Sequence, residues 1–211
     1  MEKFYEVLKE YNRSFVANVI DVPEWFLQYT EDVPPLYWKT VYEILKNEDK
    51  NQSIVEIGAG FGDITALLYF MGFNNVISFE RDKSLIQYIN DKVKTLFNRS
   101  GNVINCSYPQ ELNYSPDVLV QVNCSYYNHS SSKAEYIEQV KTTYQKNGIP
   151  RMFVFEAIDD SYREINVNFP HFMRLNQTDI INTFPKCQIE SFVTYKFPLN
   201  RVSKTIYKIC K

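Results

Sequence analysis

The sequence has no apolar run long enough to cross a bilayer, and its opening, Met-Glu-Lys-Phe-Tyr-Glu, lacks the pattern of a secretory signal. Neither a bilayer span nor a signal peptide is expected, and the cysteine pattern makes a reducing cytoplasm the expected setting. Cysteine is sparse: Cys106, Cys124, Cys187 and Cys210 are widely spaced with no C-x-x-C pair, which argues against a zinc site or a disulfide framework. A basic surplus is missing as well, since 23 Lys and Arg stand against 25 Asp and Glu for a formal charge of -2. A large nucleic-acid footprint normally shows as such a surplus, so none is expected, although a local basic patch is still allowed. There are no repeats and no low-complexity segments.

What is present is enough for one domain with a substantial core, 211 residues long, or one domain with a short helical appendage. Glycine is scarce, yet three of the six glycines fall at Gly58, Gly60 and Gly62. They interrupt Ser-Ile-Val-Glu-Ile-Gly-Ala-Gly-Phe-Gly-Asp, residues 53–63, which reads as a buried strand over Ile54–Ile57, a tight turn, and a helix from about Ile64. Strand, glycine turn and helix N-terminus make a nucleotide-type pocket at the carboxyl end of a parallel strand.

The spacing narrows the choice. A G-x-G-x-x-G dinucleotide fingerprint would put its third glycine at position 63, where the chain has Asp63; here the third glycine comes one residue early. Glu80 follows at the tip of a second apolar run, Asn75–Phe79, placed to accept hydrogen bonds from ribose hydroxyls. Together, residues 55–62 and Glu80 resemble the cofactor site of class I S-adenosylmethionine (SAM)-dependent methyltransferases. The resemblance implies SAM as cofactor and S-adenosylhomocysteine (SAH) as product, held by Gly58, Ala59, Gly60, Gly62 and Glu80. A carboxylate such as Glu56, flanked by Val55 and Ile57, must meet a donor if buried. In the family an acid at this place sits near the methionine end of SAM; the alternative partner is the backbone of the glycine turn. Arg81 is positioned to stack near the adenine or to be solvated. Where many relatives carry an acid for the adenine amino group, this chain has Asn105-Cys106-Ser107-Tyr108, and Ser107 is the candidate contact.

Residues 1–50 read as a helical lid or appendage and residues 51–211 as the SAM-binding domain. Phe4, Val7, Leu8, Tyr11 and Phe15 recur at helical spacing, so Glu2 to about Arg13 is predicted as an amphipathic helix. A short helix after Pro23 and another over Leu36–Asn47 follow, in a region rich in aromatic residues such as Tyr29, Tyr37 and Trp38. The resemblance implies that some of these rings roof the active site. Beyond Ile64 the chain alternates: helix to Met71, strand 75–79, helix 84–97 capped by Asp82, strand 102–106, the aliphatic strand Val118–Val122, helix 132–146 and strand Met152–Glu156. Asn176 to Asp179 cap a short helix, and strands 188–195 and 204–210 close the chain. This predicts an α/β fold: a Rossmann-like, seven-stranded, mostly parallel sheet with an antiparallel C-terminal hairpin, helices on both faces and an N-terminal helical segment.

The fourth strand exits through Asn123-Cys124-Ser125-Tyr126-Tyr127-Asn128-His129, the place that faces the transferred methyl in this fold. Asn123-x-x-Tyr126 distantly resembles the Asn-Pro-Pro-Tyr motif of amino-group methyltransferases, without its prolines, and Asn123 and Tyr126 are the acceptor-side candidates, Asn123 also bordering the cofactor. His129 is a candidate base for a hydroxyl acceptor, and equally an ordinary polar loop residue. Glu156, at the end of the fifth strand, is a second candidate acid. With Asp159 and Asp160 it would suit a divalent metal, but acids in such loops are ordinarily solvated and no metal site is assigned. His171 is expected to pack beside Pro170 and Phe172. The acceptor expected is a small polar molecule, sugar-like in character. Two competitors stand beside it: a nucleic-acid adenine methyltransferase, since Glu80-Arg81-Asp82 with Asn123-x-x-Tyr126 also resembles the ribosomal RNA adenine dimethylases, and a non-catalytic partner subunit of the same fold.

Overall fold

The computed structural model describes residues 1–18, 22–124, 129–161, 170–195 and 203–211. Three strands are mainly apolar and buried on both faces: β1 (Ser53–Ile57), β4 (Val118–Gln121) and β5 (Met152–Asp159). Such runs suit the centre of a parallel sheet that is covered on both sides. Their side chains alternate between two cores. Ile54, Val118, Val120, Met152 and Val154 face one, while Val55, Leu119, Phe153 and Phe155 face the other.

The remaining strands are β2 (Asn75–Glu80), β3 (Val103–Asn105), β6 (Arg174–Leu175), β7 (Gln188–Tyr195) and β8 (Lys204–Cys210). The main path runs β3-β2-β1-β4-β5-β8-β7, with β6 pairing β5 off that path. From β1 the chain builds outward to β2 and β3, then returns to lay β4 on the other side of β1. The carboxyl ends of β1 and β4 therefore bound the crevice where strand order reverses, the usual ligand position in open α/β sheets. β8 inserts antiparallel between β5 and β7.

The first core is closed by α1 (Glu2–Asn18), α2 (Leu36–Leu45) and α3 (Asp63–Phe70), with Phe4, Leu8, Phe26, Trp38 and Val41 packed in one cluster with the sheet residues. Residues of the predicted N-terminal appendage thus share a core with the strands. The second core takes Tyr136, Val140 and Tyr144 from α5 (Lys133–Gln145) and Ile180 from α6 (Gln177–Thr183). Asp82 caps α4 (Lys83–Phe97), its Oδ1 accepting from the Ser84 amide at 2.9 Å. Asn176 and Asp179 exchange side-chain-to-backbone bonds in a capping box at α6.

Several elements depart from the sequence expectation. α1 runs on to Asn18, and Glu24–Thr30 forms a 3-10 helix rather than an α-helix. β5 continues past Glu156 to Asp159 because β8 and β6 flank its second half and Ala157 and Ile158 are fully buried. That extension makes β6 an eighth strand, too short to leave a pattern in the sequence. His171 is exposed; the 3-10 turn His171–Met173 buries Met173 instead. Among the described residues, no helix is long and apolar enough to cross a membrane.

Candidate active site

The turn after β1 is pinned to β2: the amides of Gly58 and Ala59 both donate to the Phe79 carbonyl, at 2.9 and 3.1 Å. Side chains are excluded at its two ends. A Cβ on Gly58 would lie 2.5 Å from Cys124 Cβ, and one on Gly62 would lie 2.7 Å from Ile89 Cγ2. Gly60 is different. Its φ is +56° and nothing lies within 4 Å of where its Cβ would be. It faces open space, as a backbone closely approached by a ligand must.

Glu80 ends β2 with its carboxylate held by two amides, Gly60 N–H to Oε2 at 2.7 Å and Asp82 N–H to Oε1 at 2.8 Å. These bonds fix it at the cavity wall, and each oxygen has a further lone pair for a ligand hydroxyl. Arg81 and Ser107 line the same end of the cavity. Deeper in, Glu56 is buried and lines the wall, accepting from Thr65 Oγ1 at 2.5 Å and Ser78 Oγ at 2.6 Å. Its recorded partners are thus hydroxyls from α3 and β2, not amides of the turn. Burial pushes its carboxyl up to about 7, the two hydroxyls offsetting part of that shift. Cys124 lines the cavity and donates its thiol to the Ile57 carbonyl at 3.0 Å, and burial raises that thiol far above the usual cysteine range.

The other end of the cavity is built at the tip of β4. Asn123, in the left-handed region at φ +57°, gives its N–H to Glu156 Oε2 at 2.8 Å. Its Nδ2 donates to Tyr29 Oη at 3.3 Å, and its Oδ1 accepts from Lys204 Nζ at 2.6 Å. Tyr37 Oη donates to Tyr29 Oη at 3.1 Å, so two rings of the N-terminal segment do line the cavity here. Lys204 also reaches Glu156 Oε2 at 3.4 Å. Glu156 is fully buried within β5, one layer behind the cavity wall, rather than at a strand tip facing it. His129 is exposed and also lines the cavity, while Tyr126 lies outside the described residues.

The whole forms one cavity of about 950 Å³ running along the carboxyl ends of the strands. Lys204, Gln121 and Tyr195 also line it, and none was a candidate from sequence. Lys204 opens a strand that reads in the sequence as half of an ordinary hairpin, and its meeting with Asn123 is made by the sheet, not by any local pattern. Among the described residues, no three His, Cys, Asp or Glu side chains converge on a common point. Asp159 and Asp160 bond instead to Thr205 and to Asn176.

No family model matches the chain, and no curated protein matches it by sequence. Solved structures do. Magnesium protoporphyrin IX methyltransferase (ChlM) from Synechocystis PCC 6803 with bound SAH superposes with a TM-score of 0.68 at 9% identity, covering 99% of this chain and 99% of that one. N-methyltransferase NodS from Bradyrhizobium japonicum WM9 in complex with SAH gives 0.68 at 12% identity, covering 95% and 97%. The methyltransferase domain of bacterial CtHen1-C gives 0.62 at 12% identity, covering 83% and 97%. This is the class I SAM-dependent methyltransferase fold. The residues present fit the cofactor of that fold: the open space over Gly60, the anchored Glu80 carboxylate and the buried acid at Glu56 are the features such a ligand requires. Gly58 to Gly62, Glu80, Arg81 and Ser107 would hold its nucleoside, and Glu56 its amino-acid end.

Proposed function

We propose that the chain is a SAM-dependent methyltransferase that methylates an oxygen or nitrogen of a small polar metabolite. The observation that carries this reading is the single cavity joining Glu80 and the glycine turn to Asn123, His129 and Lys204, with room for a cofactor and a modest acceptor. When bound, SAM supplies a methyl group already activated on a sulfonium, so the chain contributes chiefly proximity and alignment. Asn123, locked on three sides, is our candidate for orienting the acceptor end, and His129, which lines the same cavity, is our candidate base for a hydroxyl acceptor. Buried Tyr29 and Tyr37 line that end of the cavity, and the absence of a basic surplus in the sequence favours a small molecule over a nucleic acid. The four free cysteines fit a reducing cytoplasm as the setting.

The test is to incubate the protein with SAM tritiated on the methyl group, a small-metabolite extract and, separately, total RNA. Tritium should accumulate in the low-molecular-weight fraction. Label confined to RNA would favour the nucleic-acid reading, and no transfer by folded, SAM-binding protein would favour a partner subunit.

A further inference from the structure

Gln121 ends β4 and is 5% exposed, and its side chain lines the cavity. Its Oε1 is buried without a hydrogen-bond partner among the described residues. A buried carboxamide oxygen left unmet is costly, so such an atom calls for a donor. Strand alternation gives the direction in which the side chain points. Val118, Val120 and Val122 pack in the first core and Leu119 in the second, so Gln121 projects to the second face. Tyr29, Tyr37 and Tyr195 pack on the first face, which Lys204 shares with Ile206 by the same alternation along β8. Gln121 therefore turns away from the acceptor end. On its own face the cavity is lined by Ile57, Phe79, Cys106 and Tyr108, all of which pack with the second core. Phe79 and Tyr108 meet edge to face, their ring centroids 5.3 Å apart. The Cys106 amide donates to the Glu80 carbonyl at 3.1 Å, so this apolar wall adjoins the residue placed to hold the ribose.

An apolar wall with one unmet acceptor fits a flat ring that carries one donor at its edge. The cofactor has three kinds of donor. Its ribose hydroxyls are matched by Glu80 and its ammonium by Glu56, which leaves the 6-amino group of adenine. We infer that Gln121 reads the base of the cofactor, its Oε1 accepting a hydrogen bond from the adenine 6-amino group. The inference rests on the methyltransferase reading and adds a specificity-determining residue to it. It also supplies the contact that the segment Asn105 to Tyr108, which has no acid, does not offer through a carboxylate. The assignment is invisible in the sequence, because Gln121 sits inside an otherwise aliphatic strand and reaches the base across the sheet rather than from the loop after β3.

Two ligands probe this: SAH, and the SAH analogue whose purine has hydrogen in place of the 6-amino group. Each is titrated by calorimetry into the wild type and into Gln121→Met, which keeps the length of the side chain and removes its carboxamide. The wild type should bind SAH at least tenfold more tightly than the analogue, which leaves Oε1 unmet. In Gln121→Met that preference should fall below threefold, because SAH weakens while the analogue binds within threefold of its wild-type affinity. Without ligand, the variant should melt at or above the wild-type temperature, since an unmet buried acceptor has been removed. A wild type that does not distinguish the two ligands would overturn the inference, whether or not the variant folds. So would a variant that keeps the full preference, or one that loses both ligands equally, as a purely structural role requires. Failure of SAH itself to bind the folded wild type is a separate result and sinks the parent reading.

Discussion

The Gly60 amide donates to Glu80 Oε2 at 2.7 Å, so the turn after the first strand and the acid ending the second are one structural unit. The glycines of that unit are not equivalent, and substitution should separate their roles. Gly58→Ala forces a Cβ to within 2.5 Å of Cys124 Cβ and should cost about 3 kcal/mol in urea unfolding. Gly60→Ala meets nothing within 4 Å and should cost about 1 kcal/mol, the left-handed strain alone. Yet Gly60→Ala should weaken SAH binding at least tenfold, because its methyl enters the cavity. Equal stability losses, or unchanged SAH affinity in Gly60→Ala, would contradict this division.

Beneath the same turn, Lys92 of α4 and Asp63 of α3 form a buried ion pair at 2.5 Å, with Asn12 of α1 donating to the same Asp63 oxygen at 3.3 Å. Lys92→Met leaves Asp63 buried without its cation and should cost about 3 to 5 kcal/mol. Combining it with Asp63→Asn should recover most of that loss, since no uncompensated charge remains. A double variant as unstable as Lys92→Met alone would show that the pair is not the source of the loss.

Glu56 predicts a pH dependence. Its folded value, about 7, lies above the ordinary 4.5. Between those values the native state binds more protons than the unfolded chain, so this group's contribution to stability falls as pH rises from about 4.5 to 7. Glu56→Gln removes the effect. The variant should therefore gain on the wild type by roughly 2 to 3 kcal/mol between pH 5 and pH 8 in denaturant unfolding. A stability difference that does not change with pH would show that Glu56 titrates normally.

Legibility in the sequence followed the range of the interaction. The strand predicted at Val118–Val122 was readable because both faces are covered and the run is aliphatic but for Gln121, and Asp82 and Asn176 were readable as caps because they act within three residues of themselves. The glycine spacing and Glu80 were readable because a tight turn needs particular residues at particular places. The links that the sheet creates were not. Asp63 meets Lys92 across 29 positions, and Asn123 meets Lys204 across 81; no local pattern announces either. Glu156 was misplaced for a related reason: the acids after it suggested a loop, whereas pairing to β8 carries the strand through them.

The account stands on a cofactor site organised around Glu80, and calorimetry with SAH tests it most directly. The wild type should bind at micromolar concentration, and Glu80→Ala, checked for folding by circular dichroism, should bind at least tenfold more weakly. Folded wild type that gives no heat with SAH, or a Glu80→Ala variant that binds as well as the wild type, would contradict it.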